Sequence, residues 1–412
     1  MPLIRPFAGL RPVPQYAAEV LAPPYDVLSS AEARVRAEGH PWSFLHISKA
    51  EIDLAEDINP HDPAVYRKAA ENLDRMIRES ILVRDQQPCY YVYRLTRGEH
   101  VQTGLVAVAS VTDYISNRIR RHEFTRPDKE DDRVRQIDAL NAQTGPVLMA
   151  YKSQPEMNTM LEELTHDRPE VDVVADDGIQ HTIWVVRDAA VADRISEGFD
   201  AMESLYIADG HHRSAAAARV ARDRHAATAA VSAGEAMSGY FLTVIFPHDQ
   251  MLILDYNRVI RDLNGMSAET FLARITEDFS VQAAAQAVHP QCPAEFGMYL
   301  GGQWYRLNVT APVPDDPVAR LDVSLLDDLL IAPVLGITDP RRDPRIDFVG
   351  GIRGLEALEA RVDSGEMQVA FSLFPTGMED LIAVADAGKV MPPKSTWFEP
   401  KLADGLVSHI LD

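Results

Sequence analysis

The sequence predicts an α+β protein assembled from more than one structural unit. Three observations carry this expectation. Segments with apolar residues at helical spacing are interleaved with short apolar runs of strand length, two of them joined by a tight hairpin. A buried strand, a glycine turn and a helix follow one another over 205–220. The 412 residues also exceed what a single hydrophobic core usually sustains.

The elements are justified in order along the chain. The first forty residues contain Pro2, Pro6, Pro12, Pro14, Pro23 and Pro24. They are expected to be irregular or extended, because proline fixes φ and lacks a backbone donor. Val65, Ala69, Leu73, Met76 and Ile77 recur at helical spacing and predict a helix over 62–80. Strands are expected over 89–95 and 102–111, turning at Arg97-Gly98. A helix over 128–142, a strand over 147–151, a helix over 157–164 and short strands over 171–174 and 182–186 follow. After the strand near Tyr206 and its helix, an alanine-rich stretch runs to a boundary near Ala236. Beyond it, strands are expected near 240–246, 252–254, 295–300, 304–307 and 368–373, and helices near 268–277, 323–330, 355–362 and 378–387. The chain is thus divided into an N-terminal region 1–100, a central region 101–235 and a C-terminal α/β region 236–412.

Composition narrows the function classes. A hydrophobic fraction of 46% and a charged fraction of 25% are those of an ordinary soluble globular protein. No apolar run approaches the roughly 20 residues of a membrane span, and Met1–Pro6 lacks the apolar core of a signal peptide, so a cytoplasmic location is expected. With only Cys89 and Cys292, neither a disulfide framework nor a cysteine-rich zinc site is possible. A net charge of −22 argues against extended nucleic-acid binding but leaves room for a local basic pocket.

The stretch from Leu205 to Val220 contains the most pointed chemistry. Gly210 permits a sharp turn or a close ligand approach, since it has no Cβ. The first helical turn beyond it has free N–H groups and the positive end of the helix dipole. His211, His212 and Arg213 stand at that end, a pattern suited to an anion and to phosphate above all. The alternative is a helix start whose polar residues simply meet water. A second constellation runs from Arg121 to Arg133. A solvated charged surface is the ordinary reading of such a stretch. Pro127 at a helix start, with Thr125 near the cap position, instead fixes the approach to that helix. His122 and Glu123 then lie where a loop delivers side chains to a cleft, and a carboxylate beside cations stays ionised, as a general base must.

Other stretches weigh less. Pro23-Pro24-Tyr25-Asp26 is a rigid corner able to hold an aromatic hydroxyl and a carboxylate still. Lys394-Ser395-Thr396 follows Pro392-Pro393 and offers a cation and two hydroxyls. Phe348–Gly354 has the strand, glycine pair and helix order of a phosphate loop but lacks the Lys-Ser/Thr ending. Asp327-Asp328 reads as a solvated helix face. Adjacent histidines at a helix start do not converge as zinc ligands at i and i+4 do, so no dedicated metal ligand is assigned.

His122-Glu123-Phe124-Thr125 with Lys129-Glu130 and Asp132-Arg133, then Gly145-Pro146 and Ala208–Arg213, resembles the motif set of a widespread prokaryotic family labelled a domain of unknown function. Arg5-Pro6-Phe7, Leu10-Arg11-Pro12, Ala22–Val27, Trp42–Ile47, Glu51-Ile52-Asp53, Met391–Phe398 and Pro400-Lys401-Leu402 extend the resemblance over essentially the whole chain. The Asp-Gly-His-His-Arg element is also similar to the phosphate-binding turn of the ParB-like (sulfiredoxin-like) fold, which includes free serine kinases and partition-protein nucleotidases. This resemblance implies a ParB-like core over 101–235 with N- and C-terminal α/β extensions. It implies a phosphotransferase acting on a small hydroxylated substrate, free L-serine giving O-phospho-L-serine. Glu123 would be the base beside His122. Asp209, Gly210, His211, His212, Arg213 and Thr125 would meet the donor phosphates, and Tyr25, Asp26, Lys394, Ser395 and Thr396 the substrate. The implied donor is ATP, ADP or pyrophosphate with Mg2+, held mainly by the phosphates because magnesium keeps its waters. About ninety residues separate Glu123 from the turn, more than the compact ParB-like version needs, and an insertion around 153–186 would account for this. The rival readings are a non-catalytic module that senses a nucleotide or phosphometabolite, and a ParB-like nucleotidase or nuclease. The charge and the absence of a helix-turn-helix pattern count against the latter. None of these motifs implies a particular oligomeric state.

Overall fold

The structure, a computed structural model, describes residues 2–227 and 236–412. It divides into two units: Met1–Met251 together with Pro400–Asp412, and Leu252–Glu399. Among the described residues no helix is long and apolar enough to cross a membrane.

The first unit is organised by a nine-stranded mixed sheet. Its strands are β1 (Ile4–Arg5), β2 (Tyr90–Arg97), β3 (His100–Ser110), β4 (Ile119–Arg120), β5 (Val147–Tyr151), β6 (Val171–Val174), β7 (Gln180–Val186), β8 (Leu205–Asp209) and β9 (Tyr240–Pro247). The order is β4-β8-β5-β9-β3-β2-β7-β6, with β1 added against β3. The β2–β3 hairpin closes at Arg97↔His100, where Gly98 supplies a positive φ. Most neighbours are antiparallel, but β8 runs parallel to β4 and β9 parallel to β5. The parallel pair β4–β8 sets the site, because both strands leave the sheet at the same edge.

Five helices of this unit matter below: α1 (Ser30–Ala37), α2 (Pro63–Arg78), α3 (Pro127–Leu140), α4 (Ala189–Asp200) and α5 (His211–Ala227). Asp62 caps α2 and Pro63 occupies its first turn, and the helix buries Val65, Ala69, Leu73 and Met76. On α3 and α5, Ile137 meets Ala216 and Val220 in one buried cluster. One core cluster gathers alternate residues of the sheet, among them Tyr90, Val92, Leu105, Met149 and Ile207, with Phe199 of α4.

At four points the structure departs from or adds to the expectations. The first forty residues are not uniformly irregular: α1 forms within them, held by a reciprocal capping box between Ser29 and Glu32. Helix α4 went unpredicted, although Asp188 caps it and Ala192, Ile195 and Phe199 give it a buried face. Residues 153–186, expected as an insertion, contain β7, which pairs along its whole length with β2. The boundary set at 235/236 abuts residues 228–235, which lie outside the described residues. Strand β9 beyond it sits inside the first unit's sheet between β5 and β3, and the division falls at Met251/Leu252.

The second unit is built on a six-stranded antiparallel sheet of β10 (Tyr256–Ile260), β11 (Phe279–Ala284), β12 (Glu295–Leu300), β13 (Gln303–Val309), β14 (Ile346–Gly350) and β15 (Val369–Leu373), ordered β11-β13-β12-β15-β10-β14. Strands β10 and β11 were not foreseen. Helix α6 (Glu356–Asp363) buries Leu358 and Val362 with Val259, Val349 and Ala370. The expected helix near 323–330 is α-helical over Asp322–Leu326 and continues as a π-helical turn, Asp327–Ile331. The paired aspartates on it divide: Asp328 is exposed, whereas Asp327 is half-buried and its Oδ1 has no partner.

Candidate functional site

The candidate site is the edge of the first unit's sheet where β8 ends. Asp209 is the last residue of that strand, Gly210 turns the chain with φ of +98°, and α5 begins at His211. An L-residue at 210 would be strained by this φ, and its Cβ would sit 3.0 Å from Arg213 Nε and 3.1 Å from Cζ. Glycine therefore serves twice here, for the turn and for the close passage of the arginine. Gly145 does similar work opposite, since a Cβ there would lie 3.3 Å from Arg213 Cδ. The guanidinium, mostly buried, donates from Nη1 to the Pro146 carbonyl.

Asp209 receives two cations. Lys401 Nζ lies 3.3 Å from its Oδ2, and Arg213 Nη2 lies 3.8 Å from its Oδ1. Burial alone would raise this carboxyl, but Lys401, Arg213 and His211 outweigh burial and hold it well below the usual carboxylate range. Lys401 and Arg213 thus bring two cations to the first turn of α5, where the helix dipole also favours an anion.

The histidines of the turn add no positive charge to it. Burial drives His211 well below its ordinary value, and His122 pushes it the same way. Burial brings His122 down to about 4, against the opposing pull of the Ile207 carbonyl and Asp209. Both rings are neutral at pH 7 and meet edge to face with centroids 4.6 Å apart. Each leaves one nitrogen without a partner among the described residues, Nε2 of His211 and Nδ1 of His122. His212 is half-buried and also lowered, chiefly by burial. Its Nε2 accepts a hydrogen bond from the Arg126 backbone N–H at 3.0 Å, tying α5 to the loop that bears Glu123. The charge of this turn thus comes from Arg213 and Lys401.

Glu123 joins the turn despite the long intervening chain. Its loop follows β4, and the parallel register Leu205↔Ile119, Tyr206↔Arg120 carries both strands out on the same side. Glu123 Oε2 stands 3.6 Å from His211 Nδ1, and the carboxylate is half exposed. Thr125 does not cap α3: Arg126 holds the cap position without a side-chain bond, and the Thr125 hydroxyl donates to Glu130 further along the helix. Pro127 is at the helix start as expected.

Tyr25 and Arg213 share a cavity of about 30 Å³ whose lining includes Arg133, Gly145 and Asp404. That volume admits a water molecule or two. The Arg133 guanidinium lies 3.8 Å over the Tyr25 ring and also grips Asp132 at 2.6 Å. Burial raises the Tyr25 hydroxyl, with Arg133 and Arg213 pulling the other way. Asp404 is buried, and burial pushes it up to about 7 in spite of Arg213 and Arg133. Asp26 is exposed and within the electrostatic reach of Arg213.

Lys394, Ser395 and Thr396 belong to the second unit. Lys394 is exposed, the Ser395 hydroxyl donates to the Pro392 carbonyl at 2.7 Å, the Ser395 carbonyl accepts from Thr376, and Thr396 is half-buried. Arg133, Lys401 and Asp404 were not named as site residues from the sequence. Arg133 and Lys401 lie inside the family motifs, whereas Asp404 lies just beyond Pro400-Lys401-Leu402. Among the described residues no group of three histidine, cysteine or acidic side chains is arranged to hold a metal.

Comparison with known proteins gives three kinds of finding. No curated protein matches the sequence. Among solved structures, a free serine kinase in complex with AMP is 12% identical, with a TM-score of 0.36 over 71% of this chain and 86% of that one. A conserved hypothetical protein from Pyrococcus furiosus is 13% identical (TM-score 0.35, 74% and 95% covered), and SbnI with a C-terminal truncation from Staphylococcus aureus is 11% identical (TM-score 0.36, 73% and 85%). Residues 4–324 match the family described as "Protein of unknown function (DUF1015)". With that much of the chain matched, it is a member of the DUF1015 family.

Proposed function

We propose that the chain is a phosphotransferase acting on a small hydroxylated substrate, with free L-serine converted to O-phospho-L-serine. One observation carries the reading: the Glu123 carboxylate stands 3.6 Å from His211 at the start of a helix whose turn also holds Arg213 and Lys401. A candidate base and a cation-bearing turn share one strand edge, on a strand, glycine turn and helix. Phosphoryl transfer asks mainly for positioning and charge neutralisation, which this arrangement supplies.

In the proposed reaction the serine hydroxyl oxygen attacks the terminal phosphorus of the donor. The bond from that phosphorus to the leaving phosphate oxygen breaks, and the hydroxyl proton passes to Glu123. Neutral His211 steadies the carboxylate without competing for the proton. The first-turn N–H groups of α5 with Arg213 and Lys401 hold the donor phosphates. Tyr25 and Asp26 are proposed to flank the amino-acid side. Magnesium bound to donor phosphates would offset their charge, with Asp209 and Glu123 the carboxylates at the turn able to face it.

The test is direct. The purified protein is incubated with L-serine, magnesium and ATP, ADP or pyrophosphate in turn, and phosphoserine is sought by mass spectrometry. Product from one donor supports the reading and identifies the donor. No product from any of the three, with nucleotide still binding, would replace it with the sensing module.

A further inference from the structure

Two stretches singled out in the sequence, Phe348–Gly354 and Met391–Thr396, come together on one face of β10 in the second unit. Tyr256 and Arg258, two residues apart, point to the same side of that strand. In register, Tyr256 faces Gly350 and Arg258 faces Phe348. Trp397 packs on Gly350 so closely that a Cβ there would lie 2.7 Å from the indole, and it meets Tyr256 edge-on at 5.2 Å. The Lys394 ammonium lies 5.5 Å from the Tyr256 ring centre. Its backbone has φ of +58°, a conformation lysine seldom adopts.

Arg258 is the unusual member. It is 1% exposed, yet Nε has no partner. Nη1 donates to the Tyr256 carbonyl, and Nη2 reaches the Pro393 carbonyl only at 3.5 Å. The ring of Phe348 lies 5.2 Å from the guanidinium carbon. Among the described residues no carboxylate lies within 4.0 Å of Arg258 or of Lys394. Burying a guanidinium is costly unless an anion or a full set of hydrogen bonds replaces its water. Burial indeed lowers Arg258 to about 10, with Asp327 opposing. Asp327 itself opens the π-helical turn and has its own unpartnered Oδ1. Such turns recur at functional sites.

We infer that the second unit has a ligand site of its own, centred on Arg258 and Lys394 and bordered by Tyr256 and Trp397, for a small molecule bearing an oxyanion. A guanidinium fork and an ammonium suit a phosphomonoester or a carboxylate, and the rings beside them suit a planar neighbour to that group. The site does not depend on the phosphotransferase reading of the first unit.

The experiment uses the full chain carrying Arg213→Ala, which disables the turn of the first unit. Phenyl phosphate and benzoate are titrated separately while tryptophan fluorescence is followed, with Trp397→Phe as the control. A saturable change that disappears in Trp397→Phe is expected with at least one probe, and the responding probe tells phosphate from carboxylate. Lys394→Ala should weaken it about 10-fold and Arg258→Met should abolish it. Asp327→Asn, which removes the opposing charge, should tighten it. No saturable change with either probe overturns the site, as does an affinity indifferent to Lys394→Ala. Should Arg258→Met fail to fold, opposite responses of Lys394→Ala and Asp327→Asn decide in its place, and equal or absent responses overturn the proposal.

Discussion

Replacing Gly210 by alanine should cost stability through two separable terms. The first is backbone: φ of +98° suits glycine, and forcing an L-residue there costs about 1–2 kcal/mol. The second is contact. The three atoms nearest the new Cβ all belong to Arg213, at 3.0, 3.1 and 3.3 Å, so the guanidinium must shift. That shift loosens its bond to the Pro146 carbonyl, worth roughly 1–2 kcal/mol for a charged donor. The sum, about 2–4 kcal/mol, should fall to the backbone term alone when Arg213 is already alanine. Urea unfolding of wild type, Gly210→Ala, Arg213→Ala and the double variant closes the cycle. A coupling of about 1–2 kcal/mol is expected, well above the roughly 0.3–0.5 kcal/mol that independent sites show. A cycle that closes to zero would refute the steric half, and an undestabilised Gly210→Ala would refute both. The same variants report on function, since a displaced guanidinium should reduce the stabilisation that a bound donor gives.

The remaining expectations are shorter. Glu123→Gln keeps size and hydrogen bonding but cannot take a proton, so phosphoserine formation should fall about 10²–10⁴-fold while donor affinity holds; equal turnover would move the base to Asp26 or Asp209. Lys401→Met should weaken donor binding and, because the Asp209 pair is partly solvated, lower stability by no more than about 1 kcal/mol, read as unchanged or slightly reduced melting without ligand. Asp404 is raised to about 7 in the fold, so the native state keeps a proton that the unfolded chain loses near pH 4. Its contribution to stability is therefore whole below pH 4 and lost as pH climbs to 7, by up to about 1.4 kcal/mol per pH unit. Asp404→Asn should remove that downward slope, and stability profiles of the two proteins that run parallel between pH 4 and 7 would contradict the assignment.

Local patterning made much of the fold legible. The β2–β3 hairpin, the capped α2 and the strand–glycine–helix at 205–227 are written in periodicity and turn chemistry that act over a few residues. The omissions also have physical reasons. Helix α4 has a narrow apolar stripe between acidic residues, and β10 carries Asn257 and Arg258 buried where a strand usually shows aliphatic residues. The neutrality of the histidines was not legible because adjacency in sequence says nothing of desolvation: His122 and His211 are each less than 5% exposed. The meeting of Glu123 with His211 depends on a parallel pairing between strands some ninety residues apart. Asp404 shows how a site residue escapes notice, since its importance comes only from the two arginines that the fold places beside it.

The return of Pro400–Asp412 to the first unit makes synthesis order part of the chemistry. Asp404 pairs its backbone with Ala22, Ser408 with Leu10, and His409–Ile410 with Ala142–Gln143. Every one of those receiving segments leaves the ribosome before Leu252–Glu399 is made. At about 5–20 residues per second, the nascent first unit waits on the order of ten seconds with three edges unpaired and Asp209 lacking its lysine. The turn gains its second cation only once Lys401 has been made. A chain truncated after Glu399 would lack all three of these pairings and would leave Asp209 without its lysine, so this short segment closes the first unit from beyond the second.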